Sequence, residues 1–92
     1  MAFLGYAGRN PFTDTFACKD KQFFDLSLGN WDINSDWSLG REFDLVISTR
    51  CPYFAKDPDR FVSKCREHAS KHVFLDWGLE DIWRFHIFKV VW

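Results

Sequence analysis

The residues best suited to chemistry lie in two short runs, Asn30-Trp31-Asp32 and Ser48-Thr49-Arg50-Cys51-Pro52-Tyr53. In the first, an indole stands between an amide and a carboxylate. That set can receive a flat heteroaromatic ring such as adenine, Trp31 by stacking and Asn30 or Asp32 by hydrogen bonds to an exocyclic amine. The competing reading is a plain turn with a core tryptophan, the commoner use of a large aromatic side chain. In the second run, the Arg50 guanidinium can hold an anionic group through two parallel hydrogen bonds, and the Tyr53 ring can stack on a planar substrate. Its competing reading is a loop with a surface arginine and a packing tyrosine.

Other chemistries find no support. Cys18, Cys51 and Cys65 lie 33 and 14 residues apart. An odd, widely spaced set is neither a disulfide framework nor a zinc site, and reads as three reduced thiols. Of His68, His72 and His86, only the first two share helical spacing, and His72 is expected to open a strand, so no metal site is predicted. No spacing pairs a cysteine with a histidine for nucleophilic attack. Asp76, at the end of its apolar run, offers an acid at the site edge, against the competing reading of a strand-terminal cap; no catalytic residue is assigned.

The elements that must position these residues follow from apolar patterning. Glu42 to Ser48 is a nearly continuous apolar run, the pattern of a strand buried on both faces of a parallel sheet. It puts Ser48 to Tyr53 at a carboxyl edge, where open α/β sheets bind ligands. Asp57 suits an N-cap and Pro58 the first helical position. From there Phe61, Val62, Cys65 and Ala69 form one apolar stripe at helical period. The helix is expected to stop near Ser70-Lys71, and His72 to Trp77 to form a second buried strand, completing a βαβ unit with a parallel pair. Upstream, Lys21 to Leu28 reads as a strand, and Trp31 to Arg41 as a loop. Gly5, Gly8, Asn10-Pro11 and Thr13-Asp14-Thr15 mark the first 20 residues as an irregular lead-in. Asp81 to Arg84 reads as a connector, and Phe85 to Trp92 as a last strand.

At 92 residues the chain has room for one small domain. Twelve basic and thirteen acidic residues leave a net charge of −1, which speaks against a dedicated nucleic-acid binder. Hydrophobic residues at 47% exclude long-range disorder. No apolar run reaches membrane-helix length, and the amino terminus lacks a signal-peptide pattern, so a cytoplasmic location is expected. Leu45-Val46-Ile47 needs neighbours on both sides and layers on both faces, yet the chain reads as opening without the strands that would flank it. With five tryptophans and eleven phenylalanines to bury, a homo-oligomer or a partner chain completing the sheet is predicted, with Phe85 to Trp92 at or near the interface.

The segments Glu42 to Arg50, the helix opening at Asp57-Pro58, and His72 to Gly78 together resemble the latter half of a class I S-adenosylmethionine-dependent methyltransferase. In that family they are the fourth strand, a crossover helix and the fifth strand, while Phe23 to Asp32 is similar to the third strand and its loop. The likeness runs from about Gln22 to Gly78. It implies a Rossmann-like α/β fold with a partly parallel sheet, and S-adenosylmethionine as cofactor. Asn30, Trp31, Asp32, Ser48 and Thr49 would contact the cofactor, with Arg50 and Tyr53 toward the methyl acceptor. In the family the first strand ends in a glycine-rich loop beside the methionine part of the cofactor, and an acid ending the second strand grips the ribose. Gly5 and Gly8, in Gly-Tyr-Ala-Gly, read instead as turn glycines. The expectation is therefore an incomplete fold with weak or absent cofactor binding, either a methyltransferase or a catalytically defective relative. The competing class is a non-catalytic interaction module that associates through an exposed sheet edge.

Overall fold

Ala2–Leu4 is a strand inside the sheet, β1, where the sequence predicts an irregular lead-in. All three residues are buried. Three residues covered on both faces show no alternation, so the turn formers that follow dominate the local pattern. A computed structural model describes residues 1–49, 52–76 and 85–89; the side chains of Tyr53 and of 85–89 lie outside the described residues.

After β1 come α1 (Pro11–Asp14), β2 (Gln22–Phe24), a 3-10 turn (Leu26–Leu28), β3 (Phe43–Thr49) and a second 3-10 turn (Pro52–Phe54). Then follow α2 (Pro58–Glu67), β4 (Ala69–Asp76) and β5 (Phe85–Lys89). The sheet order is β2-β1-β3-β4-β5. The first four strands are parallel and β5 runs antiparallel to β4. The fold is Rossmann-like α/β, with the predicted βαβ unit formed by β3, α2 and β4.

Register shows how β3 is enclosed. Phe3 of β1 pairs with Phe23 on one side and Ile47 on the other, while Val46 pairs across to Val73. The expectation that β3 lacks a flanking strand is thus corrected: the chain supplies both neighbours, which removes one reason for association. The predicted terminal strand is present as Phe85–Lys89; Val90, Val91 and Trp92 lie outside the described residues, as do Arg50, Cys51 and 77–84.

Strand alternation divides the core between two faces. Ala2, Leu4, Val46, Val73 and Leu75 pack on the α2 side with Phe61, Cys65, Trp31 and Trp37. Met1, Phe3 and Ile47 pack on the other with Tyr6, Phe16, Phe23, Leu45 and Phe74. Strict alternation would put Phe43 with Leu45. A register shift between those two residues coincides with Phe43 joining the α2 side instead.

Local chemistry sets the element ends. The Asp57 carboxylate accepts from the Arg60 N–H at 3.1 Å and Pro58 follows at the first helical position, as the sequence predicts. Helix α2 stops at Glu67, earlier than expected, and β4 starts at Ala69 rather than His72. β2 is shorter than the predicted 21–28 strand because the Asp25 carboxylate accepts from the Ser27 N–H at 3.2 Å and caps a 3-10 turn. Asn10 and Thr13 bond reciprocally, at 3.0 and 2.9 Å, to open α1 within the segment read as irregular. Among the described residues no helix is long and apolar enough to cross a membrane.

Candidate functional site

β1 is flanked by β2 on one side and β3 on the other, so the chain reverses its direction across the sheet at this point. In open α/β sheets such a reversal opens a crevice outside the carboxyl ends of the strands. A cavity of about 680 Å³ occupies that place. Gly5 follows β1, Asp25 follows β2 and Thr49 ends β3; all three line it. The loop after β2 contributes Leu26 and Trp31 to Asn34, and the turn after β3 contributes Phe54 and Lys56. A second hollow of about 340 Å³ shares Leu26, Trp31 and Asp32 with it.

Gly5 has φ of 84°, a left-handed conformation that glycine adopts without a steric penalty. Its N–H donates to the Phe24 carbonyl at 2.6 Å, which extends the β1–β2 ladder to the cavity edge. Asp25 is half-buried, and its contacts with the backbone and hydroxyl of Ser27 both use Oδ2. Its other carboxylate oxygen has no partner among the described residues. The loop beyond is braced by Asn30, which accepts from the Asp25 N–H at 2.9 Å and donates to the Phe23 carbonyl at 3.0 Å.

The structure sorts the residues predicted from sequence. Trp31 is only 6% exposed and packs edge-on against Trp37 with ring centroids 5.6 Å apart. It therefore serves the core, the competing reading weighed above, while also walling the cavity. The indole N–H groups of Trp31 and Trp37 are buried without an acceptor among the described residues. Asp32 lines the cavity and accepts from the Asn34 N–H at 3.0 Å. Asn30 lines the adjoining hollow rather than the main cavity.

Ser48 and Thr49 part company. Ser48 is fully buried, does not line the cavity, and donates to the Leu4 carbonyl at 3.0 Å. Its predicted place at the cofactor is corrected to a tie between β3 and β1, because alternation turns it into the core. Thr49, one residue on, lines the cavity and shares a hydrogen bond with the Tyr6 hydroxyl. Burial pushes the Tyr6 phenol above its usual pKa; the Thr49 bond opposes this, and the charge of Asp76 adds to it. Arg50 and the Tyr53 side chain, the predicted acceptor-side pair, lie outside the described residues.

Gly5, Asp25, Tyr6 and Asn34 were not predicted as site residues. One signal could have found the first two: Asp25 stands 20 residues after Gly5, each closing a short apolar run, the spacing of a glycine turn and a ribose-binding acid in dinucleotide folds. The cavity combines apolar walls (Leu26, Ile33, Trp31, Phe54) with carboxylates at Asp25 and Asp32. That mixture suits a flat ring joined to a hydroxylated group. Comparison with known proteins finds no matching family model, curated protein or solved structure, so the functional argument rests on the site itself.

Proposed function

We propose that this cavity binds S-adenosylmethionine and that the chain is a methyltransferase-like domain. The observation that carries the reading is the meeting of Gly5 and Asp25 in one cavity, at the carboxyl ends of adjacent parallel strands. The resemblance of the β3–α2–β4 segment to the latter half of that family implies a glycine at the end of the first strand and an acid at the end of the second. β2, likened above to the third strand, is taken here as the second because it pairs directly with β1. The expectation of a missing first third rested on Gly5 and Gly8 lacking a strand before them and an amphipathic helix after them; β1 supplies the strand, and the helix that follows is the four-residue α1. The free oxygen of Asp25 suits a ribose hydroxyl, and the volume lies in the range of small-molecule sites, roughly 300 to 1,000 Å³.

When bound, the cofactor supplies an electrophilic methyl group. The chain's own part is to hold donor and acceptor in line and to exclude water, which asks for little covalent chemistry from side chains. Leu26, Ile33 and Phe54 supply the apolar cover, and Thr49 a hydroxyl at the end of β3.

Calorimetric titration with S-adenosylmethionine and S-adenosylhomocysteine tests the reading. Saturable micromolar binding is expected, weakened roughly tenfold or more by Asp25→Asn, because hydrogen bonds to charged groups are the stronger class. Asparagine still caps the turn, so folding is preserved. No binding of either ligand by the wild-type chain sinks the reading.

A groove on the opposite sheet face favours a second reading, an interaction module. Phe12, Phe16, Leu45, Ile47, His72 and Phe74 line it, and Phe12 is 41% exposed. Under that reading the chain associates through this face or through the β5 edge. Sedimentation velocity at low micromolar concentration decides it: a clean monomer overturns it, and a dimer dispersed by Phe12→Asp supports the groove.

A further inference from the structure

Ser38 is exposed between Trp37 and Leu39, both of which are buried. The two buried side chains anchor the loop on either side of it and hold its hydroxyl outward. That hydroxyl meets His68, the residue that caps the C-terminal end of α2: Ser38 Oγ and His68 Nε2 lie 3.4 Å apart. We infer that Ser38 is a nucleophile activated by His68, and that the hollow beside it takes a small uncharged ester whose acyl group Ser38 receives. The inference does not depend on the cofactor reading.

The partners of the imidazole place its proton. A carbonyl can only accept, so His68 Nδ1, at 2.8 Å from the Lys64 carbonyl, carries the ring hydrogen. In the neutral ring Nε2 is then an acceptor, and the Ser38 hydroxyl donates to it. The Gly40 N–H donates to the Ser38 oxygen at 3.2 Å, which stabilises negative charge as that oxygen gives up its proton. Gly40 has φ of 81°, a left-handed turn that a glycine makes freely. The ring is stacked on Trp37 with centroids 5.4 Å apart, which fixes the bearing of Nε2 on Ser38. Nucleophile, base and a third group orienting the base are thus in line, with a backbone carbonyl as the third. A separation of 3.4 Å is long, as such pairs are before a substrate tightens them.

The hollow of about 340 Å³ gives the substrate its place. Leu26, Trp31 and Trp37 form apolar walls, and Asp32 and Ser38 line it with them. The Asp32 carboxylate repels an anionic ligand, so an uncharged ester with a flat group is the class that fits. In the reaction the Ser38 oxygen bonds the acyl carbon while its proton passes to His68 Nε2. The bond from that carbon to the leaving oxygen breaks, and the leaving oxygen takes the proton from Nε2 and departs as the alcohol. Water then attacks the acyl group on Ser38 and gives a proton to Nε2. The acid is released, and Nε2 returns the proton to the Ser38 oxygen.

The full chain is treated with p-nitrophenyl acetate, an uncharged aryl ester. A burst of p-nitrophenol is expected, with the acetyl group found on Ser38 by peptide mass spectrometry. Ser38→Ala is expected to abolish the burst, and His68→Gln to slow acetylation of Ser38 about a hundredfold, within the range for a positioned general base. Ser63→Ala, at an exposed position of α2, is expected to leave it unchanged. Acetyl groups on lysines and not on Ser38, or a His68→Gln rate equal to wild type, overturn the inference. Because His68 also caps α2, a second variant leaves the helix end intact. Ser38→Cys puts a thiol beside the same imidazole at an exposed position, and iodoacetamide is expected to alkylate it roughly tenfold faster than Cys18, since the thiolate is the attacking form. Cys18 is an exposed thiol that donates to the Asp20 carbonyl and has no histidine partner among the described residues. Alkylation no faster than at Cys18 overturns activation by His68, whether or not His68→Gln folds.

Discussion

Asn34 holds Phe54 in place: its side-chain N–H donates to the Phe54 carbonyl at 3.2 Å, and its side-chain oxygen accepts from the Lys56 N–H at 2.9 Å. One amide therefore ties the loop after β2 to the turn after β3, and both segments wall the cavity. Phe54 and Leu26, at 58% and 70% exposed, line the same cavity from different turns. Under the proposed cofactor reading, these two exposed side chains are the surface a flat ring would cover.

Asn34→Ala is expected to release the second turn from the first loop at a cost of about 1 kcal/mol, the net worth of exposed hydrogen bonds. The Lys56 amide should exchange with solvent faster in the variant than in wild type. Hydrogen exchange followed by mass spectrometry or NMR reads this directly, and an unchanged rate would mean that the tie does not persist in solution.

Ser48→Ala removes a buried hydroxyl that donates to the Leu4 carbonyl. Urea unfolding is expected to show a loss of about 1 to 2 kcal/mol, with ligand affinity untouched. A variant that keeps its stability but loses affinity would return Ser48 to the binding site.

Phe61 is 2% exposed and packs from α2 against the two indoles, with centroids 6.4 Å from Trp31 and 6.3 Å from Trp37. Phe61→Ala should cost about 3 to 5 kcal/mol, a large share of the roughly 5 to 15 kcal/mol that holds a small domain folded. It should also loosen Trp31 and so weaken cavity ligands. A change below about 0.5 kcal/mol, typical of surface substitutions, would contradict the packing.

Acid unfolding has a local contribution from Asp36. Lys64, at 3.0 Å, and then Arg60 hold its carboxyl below the ordinary value of 3.8. A lowered folded pKa stabilises the native state fully above the unfolded value, and this contribution is lost as pH falls through the folded value. Stability of Asp36→Asn is therefore expected to fall less steeply than wild type below pH 3.8. The Asp36 carboxyl is fully exposed, so high salt should shrink the difference. Identical acid limbs at low salt would show that the pair does not contribute.

The β3–α2–β4 unit was legible because its signals are local. Leu45-Val46-Ile47 is apolar without alternation, Asp57-Pro58 caps and starts a helix within two residues, and Phe61 and Cys65 repeat at helical period. Each works through neighbours within one turn or one strand. Asp25 misled the reading of β2 for the same kind of reason: a short carboxylate that bonds its own backbone ends a strand that propensity would continue.

The sequence by itself determined the α/β class and the βαβ unit. Only the tertiary structure decided that Ala2–Leu4 belongs in the sheet, since its partners Gln22–Phe24 and Val46–Ser48 are far along the chain and no local period announces them. It also brought Gly5 beside Asp25, and the cavity at their meeting exists only once the two strands pair. Finally it set Ser48 apart from Thr49. In a strand, adjacent side chains point to opposite faces, so pairing with β1 sent one hydroxyl into the core and left the other at the cavity.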